Sequence, residues 1–243
     1  MIDTKKRSIL KAVTWRLFAI VLLMAVTYFV TRDMKSVTYV TLAYHLIQVG
    51  MFFLHERMWQ KIYWGKSSGV FIQMTGMSGS GKTTLASSVA KRLLDKGYQV
   101  EVIDGDEYRT GLCSDLGFSR KDRNTNIRRL GFVSKVLARN NIISIIAAIN
   151  PYEDIRKEIS IMSDRVRTVY VACDLNILKD RDTKGLYRRA VLPDNHPDKV
   201  YNFTGVSDPY EIPINPDLVI NSGNETVDQS IKKLENFIIR SVS

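Results

Sequence analysis

The stretch Gly76-Met-Ser-Gly-Ser-Gly-Lys82-Thr83-Thr84 constrains this chain more than any other part of it. It fits the spacing G-x-x-x-x-G-K-[ST], and both flanks suit that motif. Val70–Thr75 before it is a short apolar run, as expected of a buried parallel strand. Leu85–Leu94 after it is rich in helix formers. A strand, a glycine loop and a helix N-terminus in that order wrap backbone N–H groups around phosphates. The candidate ATP-binding residues are therefore Gly76, Ser78, Gly79, Ser80, Gly81, Lys82, Thr83 and Thr84. Lys82 is placed to neutralise the β- and γ-phosphate oxygens, and Thr83 to hold Mg²⁺.

Gln99–Ile103 reads as a second strand and ends in Asp104-Gly105-Asp106. Carboxylates at the C-terminal end of such a strand point into the crevice where α/β folds bind ligands. Asp104 can assist the metal, and Asp106 can take the proton of an attacking hydroxyl. A plain turn is the blander reading; the position shortly after a phosphate loop favours catalysis. Next, Ser119 suits a helix N-cap with Asp122 three positions on. Arg123, Asn126 and Arg129 recur every third residue, while Leu130, Val133, Val136 and Leu137 read as an apolar stripe. Such a helix packs one side on a sheet and offers guanidinium forks to phosphate or sulfate. A solvated basic face has the same periodicity. Ile142–Ile149, Arg167–Ala172 and Leu218–Ile220 read as further strands, with helices at about 152–162, 174–180 and 226–240. Alternation of this kind gives an α/β fold, a P-loop NTPase with a three-layer parallel sheet.

The first 67 residues differ in composition. They hold ten Lys/Arg and three acids, a net of +7, whereas the other 25 basic and 22 acidic residues leave +3 of the chain's +10. Two apolar runs lie here, Phe18–Val30 and Val37–Leu54, each extendable to the length of a spanning helix. Neither shows a polar stripe at helical spacing, and no small-residue cleavage site follows Val30. The expectation is an α-helical transmembrane hairpin. Lys5, Lys6, Arg7 and Lys11 precede the first run and Arg57, Lys61 and Lys66 follow the second, so both termini are expected in the cytoplasm of a bacterial inner membrane. Trp15, Tyr28, Tyr39, Trp59 and Trp64 sit where an aromatic belt would. His45 and Gln48 are expected to make polar contacts across the hairpin. The basic excess beside apolar runs points to membrane lipid, and no basic–aromatic pattern points to nucleic acid. Cys113 and Cys173 have no metal or redox spacing and read as reduced thiols. Lys66-Ser-Ser-Gly69 is a short polar linker, giving two domains: 1–67, a two-helix transmembrane domain, and 68–243, a P-loop kinase domain.

The phosphate loop, Asp104-Gly-Asp106 with Arg109, Gly117-Phe118-Ser119, Asp122-Arg123, Asn126-Ile-Arg128-Arg129, Lys184-Gly-Leu-Tyr187 and Asn202-Phe203-Thr-Gly-Val-Ser-Asp-Pro-Tyr-Glu211 together resemble the adenylyl-sulfate kinases over about residues 69–240. The resemblance implies that ATP phosphorylates the ribose 3′-hydroxyl of adenylyl sulfate. It implies that Phe118 and Phe203 stack on the substrate's base. Arg109, Arg123, Asn126, Arg129, Ile149 and Asn150 are implied to hold the rest of that substrate. Arg181 is implied on the ATP side, and Lys184 in a mobile lid. A homodimer is common in that family. The N-terminal third, with its tail Glu56-Arg57-Met-Trp59-Gln-Lys-Ile-Tyr-Trp64-Gly65, resembles a family of small two-span bacterial membrane domains with no assigned chemistry.

Four departures bear on this. Asn150 stands where the family usually has Ser, so a phosphoserine cannot form there. Thr125 replaces a usual Glu, Glu153 replaces a common Arg, and the lid between Tyr187 and Asn202 is longer than usual, with Pro193, His196 and Pro197 inside it. His196 reads as a solvated loop histidine. Kinases of related nucleotides such as cytidine diphosphoramidate share much of this pattern and stay open as acceptors. A non-catalytic, membrane-tethered nucleotide-binding module is the alternative from another class.

Overall fold

The computed structural model describes residues 5–61 and 69–242. The chain divides into two compact units, Met1–Lys66 and Ser67–Ser243. Residues 66–68 of the linker, Trp64, and the side chains of Lys5, Lys6, Arg7, Lys11, Trp15, Trp59 and Lys61 lie outside the described residues.

The first unit is a helical hairpin, α1 (Lys5–Thr31) and α2 (Met34–Lys61). The turn is closed by Asp33, whose carboxylate accepts from Ser36 N at 3.0 Å, Ser36 Oγ at 2.7 Å and Lys35 N at 3.2 Å, capping α2. Met34–Leu54 is 21 residues long and apolar enough to cross a membrane; the apolar part of α1, Ala19–Thr31, is shorter. Arg16 Nη1 donates to Gln48 Oε1 at 2.9 Å. Gln48 thus makes the contact across the hairpin expected of it, while both ring nitrogens of His45 are buried without a hydrogen-bond partner among the described residues. Contrary to the sequence reading, Thr41, His45 and Gln48 do form a polar stripe, because steps of four and three residues return to one helix face. The outward residues are apolar: Leu22, Phe29, Leu46, Phe52 and Phe53 are all exposed.

The second unit is built on a five-stranded, wholly parallel sheet: β1 (Phe71–Thr75), β2 (Val100–Asp104), β3 (Ile143–Ala147), β4 (Val166–Ala172) and β5 (Leu218–Asn221), in the order β2-β3-β1-β4-β5. Around it run α3 (Lys82–Asp95), α4 (Gly105–Arg109), α5 (Arg120–Arg139), α6 (Glu153–Ser160), α7 (Leu175–Arg181), α8 (Leu186–Ala190) and α9 (Val227–Val242). Period-two alternation on β1 sorts the core. Val70, Ile72 and Met74 join one apolar cluster with Leu85, Val89 and Leu93 of α3 and Leu234 and Ile238 of α9. Phe71 joins the other, with Ile127 and Leu130 of α5 and Ile155 and Ile159 of α6. Helices on both faces of a parallel sheet make the three layers.

On α5, Ser119 caps the N-terminus as expected, accepting from Asp122 N at 3.2 Å. The apolar stripe is rephased, however. Ile127, Leu130, Gly131, Ser134 and Ala138 are buried, and Val136 is 42% exposed. Gly131 sets this phase. A Cβ there would meet Ile159 Cδ1 at 2.4 Å, so α6 approaches α5 along the glycine.

Candidate active site

The strand order reverses direction at β1, and loops from β1, β2 and β3 converge at the C-terminal edge of the sheet, where open α/β folds hold ligands. The phosphate loop leaves β1 there. Gly76 is obligatory, since a Cβ would lie 2.6 Å from the Val171 carbonyl oxygen. Gly81 caps α3 at φ 93°, in the left-handed region that glycine occupies without strain.

Lys82 opens α3 and is buried. Its Nζ donates to the carbonyls of Gly76 at 2.9 Å and Met77 at 2.8 Å. Burial pushes its pKa down to about 8, against the opposing pull of the Asp106 and Asp104 carboxylates. Thr83 Oγ1 donates to Asp104 Oδ2 at 2.7 Å. Asp104 closes β2, and its other oxygen caps α4 by accepting from Asp106 N at 2.8 Å. The sequence reading placed no helix here; α4 is a single turn started by that cap, and it aims Asp106 back over the loop. Asp106 Oδ2 is paired with Lys184 Nζ at 2.6 Å.

A cavity of about 390 Å³ collects Ser78, Gly79, Gly81, Lys82, Thr83, Thr84, Asp104, Asp106, Phe118, Arg123, Ile149, Lys184 and Phe203. A neighbouring recess of about 60 Å³ shares Asp106, Phe118, Arg123 and Ile149 and adds Arg109, Asn126 and Asn150. The two phenylalanines differ. Phe203 is buried and meets Tyr187 edge-to-face at 4.9 Å between ring centres. Phe118 is 56% exposed, with the guanidinium groups of Arg109 and Arg123 4.6 and 5.5 Å from its ring centre. Arg123 is itself buried, which lowers its pKa; its Nε donates to the Phe118 carbonyl at 3.1 Å and its Nη2 to Asn202 O at 2.7 Å. It thereby ties the two aromatic segments together.

Four of the sequence-derived residues lie outside both cavities. Gly76 and Ser80 support the loop from behind. Arg129 is turned away, its guanidinium donating to both oxygens of Asp115 at 2.5 and 2.8 Å and to the Leu112 carbonyl at 2.9 Å. A three-residue step falls about 60° short of a full helical turn, so by Arg129 the row begun at Arg123 has rotated off the site. Arg181 sits beside Ser222, donating to its carbonyl at 3.2 Å.

Asn150 is buried at φ 45° and donates through Nδ2 to Gln73 Oε1 at 3.2 Å. Glu153 is neutralised by Arg156 at 2.7 Å. His196 accepts from Asp198 N at 3.1 Å inside the lid and lines neither cavity. The long lid segment is bonded to itself, Lys199 Nζ meeting Leu192 O and Asp194 Oδ1 at 2.6 Å each. It brings Val200, Tyr201 and Asn202 onto the cavity wall. Tyr201 escaped the sequence reading; its place directly before the Asn202-Phe203 motif was the available signal.

Thr83 and Asp104 offer a hydroxyl and a carboxylate within hydrogen-bond reach of each other, the hard oxygen donors that Mg²⁺ prefers. Among the described residues no cluster of three His, Cys, Asp or Glu forms a cage. That suits an ion that arrives with nucleotide phosphates and completes its shell with them and water.

Residues 68–221 match the family described as adenylylsulphate kinase, and residues 9–60 match the family described as "Predicted membrane protein (DUF2061)". The adenylyl-sulfate kinase of Rippkaea orientalis is 44% identical over 169 residues, 70% of this chain and 91% of that protein. The probable adenylyl-sulfate kinase of a Synechocystis species is 45% identical over 166 residues, 68% of this chain and 91% of that protein. A solved structure of the Mycobacterium tuberculosis APS kinase, in complex with AMPPNP and APS, superimposes with a TM-score of 0.66 at 33% identity, covering 71% of this chain and 99% of that one. With its phosphate loop, paired aspartates and two phenylalanines around one cavity, this chain belongs to the adenylylsulphate kinase family.

Proposed function

We propose that this protein transfers the γ-phosphoryl group of ATP to the ribose 3′-hydroxyl of adenylyl sulfate, giving 3′-phosphoadenylyl sulfate and ADP. The observation that carries this is one cavity lined together by Lys82, Thr83, Asp104, Asp106 and the two phenylalanines, Phe118 and Phe203. The loop amides and Lys82 hold the triphosphate and stabilise charge on the transferring group. Asp106 accepts the hydroxyl proton as that oxygen attacks phosphorus in line. Phe118 and Phe203 hold the acceptor's planar base, and Arg109, Arg123 and Asn126 face its anionic end. Thr83 and Asp104 would hold Mg²⁺, which supplies charge neutralisation on the phosphates. Asn150 has no hydroxyl to carry a phosphate, so transfer is direct. Lys184 must leave Asp106 for the base to work, which fits a lid residue that moves to phosphate oxygens.

Full-length protein in detergent with Mg²⁺ should consume ATP and adenylyl sulfate one for one. No turnover of adenylyl sulfate beside turnover of a cytidine nucleotide would overturn the acceptor assignment.

The anchor reading is likewise ours. Residues 1–67 form a membrane domain crossing twice, with the kinase domain (68–243) and both termini on the cytoplasmic side of a bacterial inner membrane. The 21-residue apolar stretch of α2, the outward apolar side chains and the flanking Lys/Arg excess support it. Recovery of the full-length protein in the soluble fraction would sink it. The homodimer rests on family likeness, and light scattering on the detergent-solubilised protein tests it.

A further inference from the structure

Beyond the two clusters that flank the sheet, the second unit has a third, small apolar cluster. Its buried members are Leu178, Tyr187, Ala190 and Phe203, and Met77 packs against them. It draws on the phosphate loop, on α8 of the lid and on the segment bearing Phe203, three parts of the site that are far apart in sequence.

Tyr187 is at its centre. The residue is 4% exposed, and its ring meets Phe203 edge-to-face at 4.9 Å and 87°. Its hydroxyl donates to the carbonyl of Ser78, in the phosphate loop, at 2.9 Å. Its backbone N–H donates to Asp182 Oδ1 at 3.0 Å, fixing the start of α8. Burial pushes the phenol up to about 12, so it remains a donor at neutral pH. A second contact joins the same parts. Gly205, two residues after Phe203 and at φ 87°, lies so close to the loop that a Cβ would be 2.9 Å from Met77 Sδ. The segment carrying Phe203 therefore rests on the phosphate loop twice, once through a hydrogen-bonded tyrosine and once through van der Waals contact.

We propose that Tyr187 is a positioning residue that couples the two substrate sites: it fixes the Phe203 ring relative to the Ser78 carbonyl, so the loop conformation that holds a triphosphate also sets the ring for the acceptor's base. This rests on the reading above that Phe203 stacks on the acceptor. A ligand that orders one end of such a linkage lowers the cost of ordering the other, and the coupling is reciprocal.

The test is calorimetry on the full-length protein in detergent, measuring adenylyl sulfate affinity with and without AMPPNP. In the wild type AMPPNP should tighten adenylyl sulfate binding. Tyr187→Phe keeps the ring and loses the hydroxyl, and should lose about fivefold of that enhancement, the worth of one neutral hydrogen bond. AMPPNP affinity measured alone and the melting temperature should stay near wild type. In the reverse experiment, the tightening of AMPPNP by adenylyl sulfate should fall by the same factor. A wild type that binds both ligands without mutual enhancement overturns this proposal alone, as does a Tyr187→Phe protein that keeps the full enhancement. A drop in both separate affinities and in melting temperature, with the enhancement ratio intact, makes the hydroxyl merely structural and also overturns it. A wild type that binds AMPPNP but not adenylyl sulfate removes the acceptor reading and this proposal with it.

Discussion

Lys82 is where charge and burial conflict most sharply. Its amine, ordinarily near 10.5, is held at about 8 by burial. Folding therefore costs a proton-binding preference: between pH 8 and 10.5 the unfolded chain binds more protons than the folded one, so ligand-free stability rises with pH across that window. In Lys82→Met the rise should flatten, by a difference on the order of 3 kcal/mol between pH 7 and 10 in denaturant titrations. A triphosphate would reverse the depression, so at pH 8.5 ATP binding should take up roughly half a proton or more, read from calorimetry in buffers of different ionisation enthalpy. Turnover should fall at least about 10²-fold in Lys82→Ala, and Asp106→Asn should lower kcat about 10²–10⁴-fold with little change in the KM for ATP. Lys82 was legible in the sequence because a phosphate loop is a local device, its spacing and chemistry written within nine consecutive positions, and Asp106 because it follows directly on a readable strand. Arg129 was misread because three-residue spacing looks like a helix face while drifting around the helix, and because its partner Asp115 is reached only through the loop before α5. Tyr187 stood in a motif read from the sequence, but its contact with the phosphate loop depends on how the lid folds back, and Tyr201 was signalled only by its place before Asn202-Phe203.

Among the elements, the strands were readable to within two residues at each end, since most are short apolar runs bounded by polar turns. The helix α4 was not, because its five residues carry no periodicity; its one signal is the Asp104 cap. The register of α5 was misphased for a related reason. Val136 continues the apolar pattern, but the space against α6 is set by a glycine, Gly131, whose contribution is the absence of a side chain. Gly131→Val should force α5 and α6 apart and cost about 1–3 kcal/mol, measured by thermal melts. Ser119→Ala, which removes the cap of the same helix, should cost about 0.5–2 kcal/mol and leave the chemistry of Asp106 unchanged.

Over the whole molecule, two units with opposite solvent preferences share one chain. Outward leucines and phenylalanines on α1 and α2 suit lipid, whereas the second unit buries an apolar cluster on each side of a sheet. In α2, Leu46→Arg would place a charge on an exposed apolar face at a cost of about 3 kcal/mol for insertion. Fractionation should then show more of the protein leaving the membrane pellet. The hairpin itself was legible as two apolar runs, and His45 and Gln48 as its inward polar residues; Thr41, on the same face, was missed because apolar neighbours that face elsewhere separate the three. Finally, a sheet whose five strands all point one way has two unlike rims, and every residue assigned here to chemistry belongs to the one where strands finish. The rim where they start carries none of those residues. Asp164, exposed in the turn just ahead of β4, is a suitable point to attach a fluorophore, and single-particle tracking through it would follow the enzyme's diffusion in a bilayer while turnover continues.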